Sequence, residues 1–380
     1  MTAVQPQAAL EDQPPEPDEG LLRGPLVWLL LDDRPGHVTQ VVGLAEALGW
    51  PYETKRLRFT PLNRISNRLL GASLVTLRHG AAAQLQPPWP DLVIAMGRRC
   101  APVARWIKRQ SGNRTRLVQL GRKGANVAAP FDLAVSCRHF QLPDHPKRVQ
   151  VLLPPTQVNA DRLQDAAARW PKLLDGASAP RVVLLVGGTT AHHRLTAEAA
   201  ETMAGAVQSF AAGLEGSLTC VTSRRSGQAV ESALARGAPG AGLHCWRADQ
   251  GENPYLGYLA QADILVVTGE SESMLAEAAA TAKPLFVYPV AARPRSLRAR
   301  LSGWVLARAQ AAQGWRASLC KGLIGRGWVV PPRDLEVLHR GLAEAGLAKP
   351  FADAGAPQRP EPHPGQNGLL DRVRLLLERA

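Results

Sequence analysis

Cysteine is scarce and scattered in this sequence of 380 residues. The five cysteines are odd in number and never form a C-x-x-C pair; they are Cys100, Cys137, Cys220, Cys245 and Cys320. This pattern argues against both a disulfide framework and a structural zinc site. It is typical of proteins in a reducing compartment, so we expect a cytoplasmic location.

Long apolar runs are absent as well. No stretch approaches the ~18 to 20 apolar residues that a membrane-spanning helix requires. Residues 1–24 lack the basic start and the long apolar core of a signal peptide. They are acidic and rich in proline, which predicts a disordered tail. Since 45% of the residues are hydrophobic, we expect the rest of the chain to be globular.

Acidic side chains are the minority among the charged residues, with 32 Asp and Glu against 45 Lys and Arg. The formal net charge of +13 indicates an anionic partner, namely nucleic acid, a membrane surface or a phosphorylated ligand. No RNA- or DNA-binding module and no basic–aromatic motif occurs, so nucleic acid is the least favoured of these. Between Asp91 and Asp132 there are nine basic residues and no acidic ones, which indicates a positive surface.

Short apolar runs alternate with helix-forming segments through most of the chain. The first run, Leu26–Leu31, follows the acidic tail, and the pattern restarts at Arg181–Val186. This alternation predicts an α/β fold with two Rossmann-like domains, each built on a parallel sheet, facing each other across a cleft. The boundaries we infer are 25–155 for the N-terminal domain, 156–180 for a linker, 181–350 for the C-terminal domain and 351–380 for a tail with a terminal helix.

The most informative βαβ unit runs from Gln261 to Pro289. Ile264–Val267 is predicted to be a buried strand, and Ser271 to cap a helix that reaches about Thr281. Ligands bind at such strand-to-helix junctions in open parallel sheets, and the helix N-terminus suits phosphate. Glu277 lies about two turns into the helix, within reach of the hydroxyls of a ribose. The alternative is that the serine and the glutamate only cap and solvate the helix.

Polar residues follow other predicted strands in the second half of the chain. Gly187–Gly188 would let the backbone approach a ligand closely, and Arg224–Arg225 would clamp a diphosphate. The adjacent pair His192–His193 suggests a metal, but no carboxylate stands at ligand spacing. We therefore expect no metal site there.

A histidine follows the first predicted strand. His37 lies beside Gly36 at a strand-to-helix turn, where it would act as a general base or contact a substrate. The alternative is that His37 only caps the turn. The G-x-G-x-x-G fingerprint of dinucleotide-binding proteins is absent, so this turn is not predicted to bind such a cofactor.

Several of these segments together resemble a known family. The motifs DDRPGHVTQVVGLAEALG, LLVGGTTAHH, VTSRRSG and TGESESMLAEAAATAKP are similar to those of the mitochondrial fission ELM-like family, which comprises the plant "elongated mitochondria" protein and bacterial relatives. The resemblance covers residues 26–352, and its most specific parts are GH-x-x-Q and G-E-S-x-S-M-x-x-E. Departures from the family pattern are Thr39, Glu270, Ala282 and the segments GRKGANVAAP and SCRHF.

The resemblance implies a GT-B fold and a glycosyltransferase-like protein, similar in layout to the peptidoglycan lipid-linked N-acetylglucosaminyltransferase. A nucleotide-sugar donor would then lie on the C-terminal domain, in contact with Gly187, Gly188, Thr189, Ser223, Arg224, Arg225, Asn253, Glu270, Ser271, Ser273, Met274 and Glu277. The N-terminal domain would hold the acceptor, with His37 or Asp33 as the catalytic base.

No cofactor is expected, since the nucleotide-sugar is a substrate. Because the chain has no acidic D-x-D pair at a strand end to hold a metal, helix dipoles and arginines would stabilise the leaving diphosphate. The alternative hypothesis is a non-catalytic protein that keeps the fold, namely a membrane-peripheral scaffold or an organelle-division factor. Turnover of a bound nucleotide-sugar would separate the two hypotheses.

The span from Ala278 to Arg333 contains ten basic residues and no acidic one. Within it, Ser296–Arg308 is predicted to form a helix with Leu297, Leu301 and Trp304 on one face. Tryptophan beside basic residues is typical of a lipid interface, so we expect attachment to the inner face of a membrane and a lipid-linked or envelope acceptor. The alternative is that this apolar face packs into the C-terminal domain.

Overall fold

Two parallel sheets of six strands each organise the chain. The computed structural model describes residues 24–378 except 248, 250, 312 and 361–366. The predicted acidic tail, residues 1–24, lies outside the described residues apart from its last position. The prediction of an α/β fold with two Rossmann-like domains is confirmed.

The N-terminal sheet contains β1 (Val27–Leu31), β2 (Tyr52–Arg56), β3 (Leu92–Met96), β4 (Arg116–Leu120), β5 (Leu133–Cys137) and β6 (Arg148–Val151). The strand order is β2-β1-β3-β4-β5-β6, and all neighbours are parallel. The helices of this half are α1 (Pro35–Leu48), α2 (Asn67–Leu70), α3 (Gly97–Gln110) and α4 (Arg122–Ala125).

The second half of the chain begins with α5 (Ala160–Arg169) and continues with β7 (Arg181–Gly188), α6 (Ala197–Gly213), β8 (Ser217–Arg225), α7 (Gln228–Gly237), β9 (Gly242–His244), α8 (Tyr255–Gln261), β10 (Ile264–Thr268), α9 (Glu272–Ala279) and β11 (Leu285–Tyr288). It ends with α10 (Leu297–Gln310), α11 (Trp315–Gly325), α12 (Leu335–Glu344), β12 (Lys349–Pro350) and α13 (Asn367–Glu378). The strand order of this sheet is β12-β11-β10-β7-β8-β9, again parallel throughout.

The inner strands of each sheet are buried on both faces, which explains why they are almost continuously apolar, whereas the edge strands β2, β9 and β12 are largely exposed. In β1, Leu29 packs on one face and Trp28 on the other, and both are nearly inaccessible to solvent. In β7, Val183 and Leu184 take opposite faces in the same way. Helices on both faces of a parallel sheet are characteristic of Rossmann-type domains.

The predicted linker and tail contribute to the two cores. Val158 and Leu174, which flank α5, belong to the same apolar cluster as Val183 of the C-terminal sheet. In α13, Leu369 and Val373 are buried against the strands and α1 of the N-terminal domain. The terminal helix therefore packs on the N-terminal domain, although the C-terminal domain precedes it in the chain.

The helices α10 and α11 reach from the second half of the chain to the N-terminal domain. Leu306 of α10 and Ile324 of α11 pack against Cys137 and Phe140, at the end of β5. The contact between the domains therefore has an apolar cluster of its own.

The predicted element boundaries differ from the observed ones by a few residues. The predicted helix from Ser271 to about Thr281 is α9, which ends at Ala279; Ser271 occupies its N-cap position as predicted, but its side chain makes no capping hydrogen bond to the described residues. Helix α1 begins at Pro35 and not at Val38, because proline suits the first turn of a helix. None of the described helices combines the length and the apolar character needed to cross a bilayer.

Candidate active site

A cavity of about 570 Å³ lies between the two domains. Its described lining residues follow strands of both sheets, with His37 after β1, Gly97 after β3, Thr190 after β7 and Glu272 after β10. The carboxyl ends of strands are where open parallel sheets bind their ligands. Both sheets therefore direct their ligand-binding edge to one shared cavity, which we call the basic cavity.

Positive charge dominates the basic cavity. Six cations from the N-terminal domain line it, namely Arg34, Arg64, Arg98, Arg99, Arg122 and Lys123. Arg225 and Arg333 face them from the other domain, and Glu272 is the single carboxylate among the described lining residues. That carboxylate is already paired, since Nη1 of Arg333 lies 3.3 Å from Oε2 of Glu272. This excess of cations suits a polyanionic ligand such as a diphosphate.

The cations of the basic cavity lie close enough to repel one another. Burial lowers the pKa of Lys123, and the charges of Arg122 and Arg98 lower it further. The pKa of each of these two arginines is also lowered, first by burial and then by a neighbouring arginine. A bound anion would relieve this repulsion, which adds to its affinity.

His37 is oriented in the cavity by a buried carboxylate. Its Nδ1 lies 3.0 Å from Oδ2 of Asp32, which follows β1 directly and is buried. Burial acts to raise the pKa of Asp32, but the hydrogen bond and charge of His37, with help from Arg34, leave that pKa below its ordinary value. An ionised Asp32 favours the tautomer with the proton on Nδ1, which leaves Nε2 free to accept a proton.

A glycine makes room for this imidazole. Gly97 has a φ of +74°, in the left-handed region. A Cβ at this position would lie only 2.8 Å from Cε1 of His37. A larger residue would therefore strain the backbone and displace the ring.

Asp33, the other predicted base, is not among the described lining residues, although it pairs with one of them. Its Oδ1 accepts a 2.7 Å hydrogen bond from Nη1 of Arg99, and its side chain is largely exposed. The basic cavity thus contains His37 without Asp33. The sequence reasoning missed Asp32; an acidic residue directly after a buried strand is a signal for it, but that signal does not separate Asp32 from Asp33.

The two glycines at the end of β7 allow close approach between protein segments. A Cβ on Gly187 would lie 2.2 Å from Oε1 of Glu270, and Gly188 has a φ of +104°. Glu270 is buried, and Oγ1 of Thr268 donates to its Oε1 at 3.2 Å. Burial raises the pKa of the Glu270 carboxyl. Both glycines therefore accommodate protein atoms where β7, β8 and the loop after β10 meet.

The two adjacent arginines at the end of β8 have different positions. Arg225 lines the basic cavity, and its Nη2 donates to Oγ of Ser271 at 3.1 Å. Arg224, the residue before Arg225, is not part of the described lining. Since the side chains of neighbouring strand residues point in opposite directions, only one of the pair could reach the cavity.

Two side chains predicted to contact the donor through their hydroxyls, Ser223 and Thr189, make hydrogen bonds to the backbone. Oγ of Ser223 donates to the carbonyl oxygen of Gly187, which ties β8 to β7. Oγ1 of Thr189 accepts a hydrogen bond from the N–H of Leu195 at 3.2 Å, which closes the loop after β7. These side chains stabilise the loops that surround the cavity.

The remaining predicted donor residues lie along α8 and α9. Burial raises the pKa of Glu277 to about 7, and the hydroxyl of Tyr255 acts in the opposite direction. Oδ1 of Asn253 accepts from the N–H of Tyr255 at 3.1 Å, near the start of α8. Ser273 is half-buried, and Met274 packs against the C-terminal core. Because α9 begins at the basic cavity, Glu277 lies roughly 7 Å further along that helix.

The fold also assembles a cluster that the sequence did not predict. Cys137 and His139 at the end of β5 lie beside Glu272 at the start of α9, and one potential metal-ligand atom of each falls within 4.8 Å of the others. The C-x-H spacing in SCRHF was the visible signal. The third residue lies far along the chain, so only the fold reveals the cluster.

The predicted interfacial helix is α10, and its apolar face is open to solvent. Leu297, Leu301 and Trp304 are 71%, 59% and 57% exposed. The alternative that this face packs into the C-terminal domain is therefore wrong. The side chains of α10 that do pack are Leu306 and Ala309, which contact the cluster at the end of β5.

Exposed apolar side chains of both domains extend this face. Trp315, Leu319 and Trp328 contribute from the second half of the chain, and Leu69 contributes from the N-terminal domain. The guanidinium of Arg68 lies 4.0 Å from the ring centroid of Trp328, which brings the two contributions together. We call these four residues, with the exposed face of α10, the apolar surface.

A second cavity, of about 690 Å³, lies beside the apolar surface and is lined in part by Arg68. It shares Arg64, Arg98 and Lys123 with the basic cavity. The basic cavity therefore continues toward the apolar surface.

Two Rossmann-like domains with a cavity between the carboxyl ends of their strands, and a last helix that packs on the first domain, define a GT-B-like protein. Residues 35–333 match the family described as Mitochondrial fission ELM1, and the chain belongs to that family. The family expected from the sequence motifs is thus confirmed.

Two relatives illustrate the range of the family. The chain is 25% identical to "Mitochondrial fission protein ELM1" of Arabidopsis thaliana over 241 residues, which are 56% of this chain and 56% of that protein. It is 23% identical to "Uncharacterized protein RP120" of Rickettsia prowazekii (strain Madrid E) over 300 residues, which are 69% of this chain and 82% of that protein. The chain thus spans little more than half the length of the plant relative.

Solved structures with similar chains include sugar-nucleotide enzymes. The UDP-GlcNAc 2-epimerase of Methanocaldococcus jannaschii is similar over 93% of this chain and 100% of its own, with a TM-score of 0.47 and 10% identity. CalG4, the calicheamicin glycosyltransferase, is similar over 94% of this chain and 99% of its own, with a TM-score of 0.42 and 15% identity.

Proposed function

We propose that this chain is a GT-B-type glycosyltransferase-like enzyme that uses a nucleotide-sugar and needs no metal for the transfer step. The observation that carries the proposal is the basic cavity, which has eight cations and one carboxylate among its described lining residues. A nucleotide-sugar brings a diphosphate of matching charge, and that group gains further charge as the glycosyl bond breaks. Fixed cations stabilise such charge without reorganising during the reaction.

The donor is assigned to the C-terminal side of the cavity. Arg225 and Arg333 would hold the diphosphate at the start of α9, where unpaired N–H groups and the helix dipole favour an anion. Ser271 keeps the Arg225 guanidinium in position by accepting its hydrogen bond. Glu277, further along the same helix, would accept hydrogen bonds from the ribose hydroxyls.

The catalytic base is assigned to His37, with Asp32 as its positioning residue. Nε2 would take the proton of an acceptor hydroxyl while the oxygen attacks the anomeric carbon. The bond between the sugar and the diphosphate then breaks, and its electron pair leaves on the diphosphate. The 3.0 Å contact between Nδ1 and Asp32 supports this role, because it stabilises the imidazolium formed by the proton transfer.

The acceptor is proposed to be a lipid-linked or envelope molecule, reached from the inner face of a membrane. The apolar surface carries exposed tryptophans beside arginines, a combination that suits an anionic lipid interface. The cavity beside it shares three cations with the basic cavity, so the head of an amphiphile would have a charged path to the donor.

Membership of a family named for mitochondrial fission favours one alternative function. In that alternative the chain keeps the fold and binds a nucleotide, but it acts as a membrane-peripheral scaffold. The basic cavity would serve both functions, whereas the dyad of His37 and Asp32 has a role only in the enzyme.

A thermal-shift screen of nucleotide-sugars tests the proposal. A ligand present at ~100 times its dissociation constant should add about 2.7 kcal/mol of stability. Each ligand that binds is then incubated with a membrane-lipid extract, and release of nucleoside diphosphate is measured. Binding with release supports the enzyme, and binding without release supports the scaffold. Failure of every nucleotide-sugar to bind would contradict both.

A further inference from the structure

Three side chains from the two domains converge at the end of β5. Sγ of Cys137 lies 3.5 Å from Oε1 of Glu272, and Nε2 of His139 lies 3.1 Å from Oε2 of the same carboxylate. Cys137 and His139 are 4% and 0% exposed. The Glu272 side chain is only 14% exposed. A thiol, an imidazole and a carboxylate thus share one small buried volume.

The imidazole of His139 is poorly satisfied by the protein. Although Nε2 lies near Glu272, neither ring nitrogen makes a hydrogen bond of acceptable geometry with any described residue. Buried polar atoms without such partners are rare, because each loses its hydration without compensation. An additional partner at this position would remove that cost.

These three side chains lie close enough together to bind one metal ion. Zinc binds nitrogen and oxygen at about 2.0 Å and sulfur at about 2.3 Å, so its ligand atoms lie about 3.3 to 3.6 Å from one another. The separation is 3.1 Å from Nε2 of His139 to Oε2 of Glu272 and 3.5 Å from Sγ of Cys137 to Oε1, each close to such an edge, and one ligand atom of each residue lies within 4.8 Å of the others. A thiolate, an imidazole and a carboxylate are also the ligands that zinc prefers. We infer that Cys137, His139 and Glu272 form a zinc site.

The charges around the site are compatible with a divalent ion. Binding would require the thiolate of Cys137, which with the carboxylate of Glu272 gives two negative charges against the two positive charges of zinc. Arg333, 3.3 Å from Oε2 of Glu272, then retains its own charge, which faces the basic cavity that it lines. The ion would therefore occupy the side of the carboxylate that faces Cys137 and His139.

The site would join the two domains. Cys137 and His139 come from the N-terminal domain, whereas Glu272 opens α9 of the C-terminal domain. Three protein ligands leave a fourth position for water, and Glu272 also lines the basic cavity. A metal here would fix the width of the cleft from one side. It is separate from the proposed glycosyl transfer, which uses the cations of the cavity and not a metal.

Metal uptake by the full chain tests the inference. The purified protein is freed of metal with a chelator, titrated with Zn²⁺ alone, passed over a desalting column and analysed for bound zinc. The same titration with Co²⁺ reports a thiolate ligand through its charge-transfer absorption. We expect one equivalent of zinc in the wild type, and a thiolate band with cobalt.

The matched variants are Cys137→Ser and Cys320→Ser. Cys320 is buried in the same apolar cluster but lies outside the proposed site, so its variant should keep both signals. Cys137→Ser should lose the cobalt band and bind zinc at least tenfold more weakly. Since Cys137 is buried, Glu272→Gln serves as a second variant with the same expected loss, in case Cys137→Ser fails to fold.

The inference is overturned by either of two results. One is a wild-type chain that retains no zinc; the other is equal retention in the wild type, Cys137→Ser and Glu272→Gln, which would place bound zinc at other residues such as His192 and His193. No nucleotide is present in these measurements. Failure of the zinc site would therefore leave the proposed function untouched, and the reverse also holds.

Discussion

The two sides of the basic cavity are built differently. The N-terminal side supplies six of the eight cations and a histidine whose orientation is set by the buried Asp32. The C-terminal side supplies Arg225 and Arg333, next to glycines and a buried carboxyl. One side is thus organised around a titratable pair, and the other around close backbone approach. This contrast agrees with a division between proton transfer and donor binding.

The largest expected effect is on the N-terminal side. His37→Ala should lower turnover of the nucleotide-sugar by a factor of about 10² to 10⁴, because a positioned general base is lost. The dissociation constant of the donor should stay the same, since His37 does not contact it in the proposed arrangement. Initial rates and calorimetric titrations measure the two quantities.

Asp33→Asn is the matched control for this experiment. Asp33 was the other base predicted from the sequence, and it is exposed and paired with Arg99. Its variant should retain turnover. A loss of turnover in Asp33→Asn with normal rates in His37→Ala would reverse the assignment, and an early-melting His37→Ala would favour a role in capping the turn.

The second largest expected effect is on the affinity for the donor, which depends on the C-terminal side of the basic cavity. Arg225→Ala should weaken binding of the donor by about 1.5 to 3 kcal/mol, because a hydrogen bond to a charged phosphate is lost. Arg224→Ala should change binding little, since Arg224 lies outside the described lining of the basic cavity. Titration calorimetry on the two variants measures this difference. Equal effects of the two substitutions would show that the cavity does not hold the diphosphate through Arg225.

Glu277 and Asp32 should make contributions to stability that change with pH in opposite directions. The pKa of Glu277 in the folded chain is about 7, above its ordinary value of 4.5. The folded protein therefore holds this proton more tightly than the unfolded chain does. The stability that results is complete below pH 4.5 and is lost as the pH rises to about 7, by up to about 1.4 kcal/mol for each pKa unit.

Thermal unfolding of Glu277→Gln checks this sign. The variant cannot ionise, so its advantage over the wild type should grow between pH 4.5 and about 7. Asp32 has a lowered pKa, so Asp32→Asn should cost the most stability above the ordinary pKa and the least in acid. If the stability of both variants relative to the wild type changed with pH in the same direction, this prediction of opposite signs would be contradicted.

The smallest expected effect per substituted residue is on binding of the apolar surface to anionic vesicles. Replacing Arg295, Arg298 and Arg300 by glutamate should reduce sedimentation with anionic vesicles, because each cation near such a surface contributes about 1 kcal/mol. Binding of the wild type should weaken as salt rises. Recovery that is equal with neutral and anionic vesicles, or absent at low salt, would contradict membrane attachment.

The features of the fold that could be predicted from the sequence are those that depend on the local order of apolar and polar residues. Apolar β-branched runs and intervening helices are local features, so the two parallel sheets could be predicted. The position of His37 in the cavity follows from its place after β1. The choice between Asp32 and Asp33 could not be predicted, because adjacent side chains point in different directions and packing decides which one is buried.

Long-range proximity accounts for what the sequence could not predict. Arg225 and not Arg224 lines the cavity because β8 continues to residue 225, further than its apolar run suggests. Cys137 and Glu272 meet only because the two domains close on each other. The exposure of the α10 face is likewise a property of the whole fold, since periodicity alone allows it to be buried or open.

The most direct test of the central claim is calorimetric titration of the wild-type chain and Arg225→Ala with a panel of nucleoside diphosphate sugars. The account predicts saturable one-to-one binding of at least one member by the wild type. That binding should be competed by the free nucleoside diphosphate and weakened at least tenfold in Arg225→Ala. No binding by any member of the panel, or equal affinity in the two proteins, would contradict the claim that the basic cavity holds the donor.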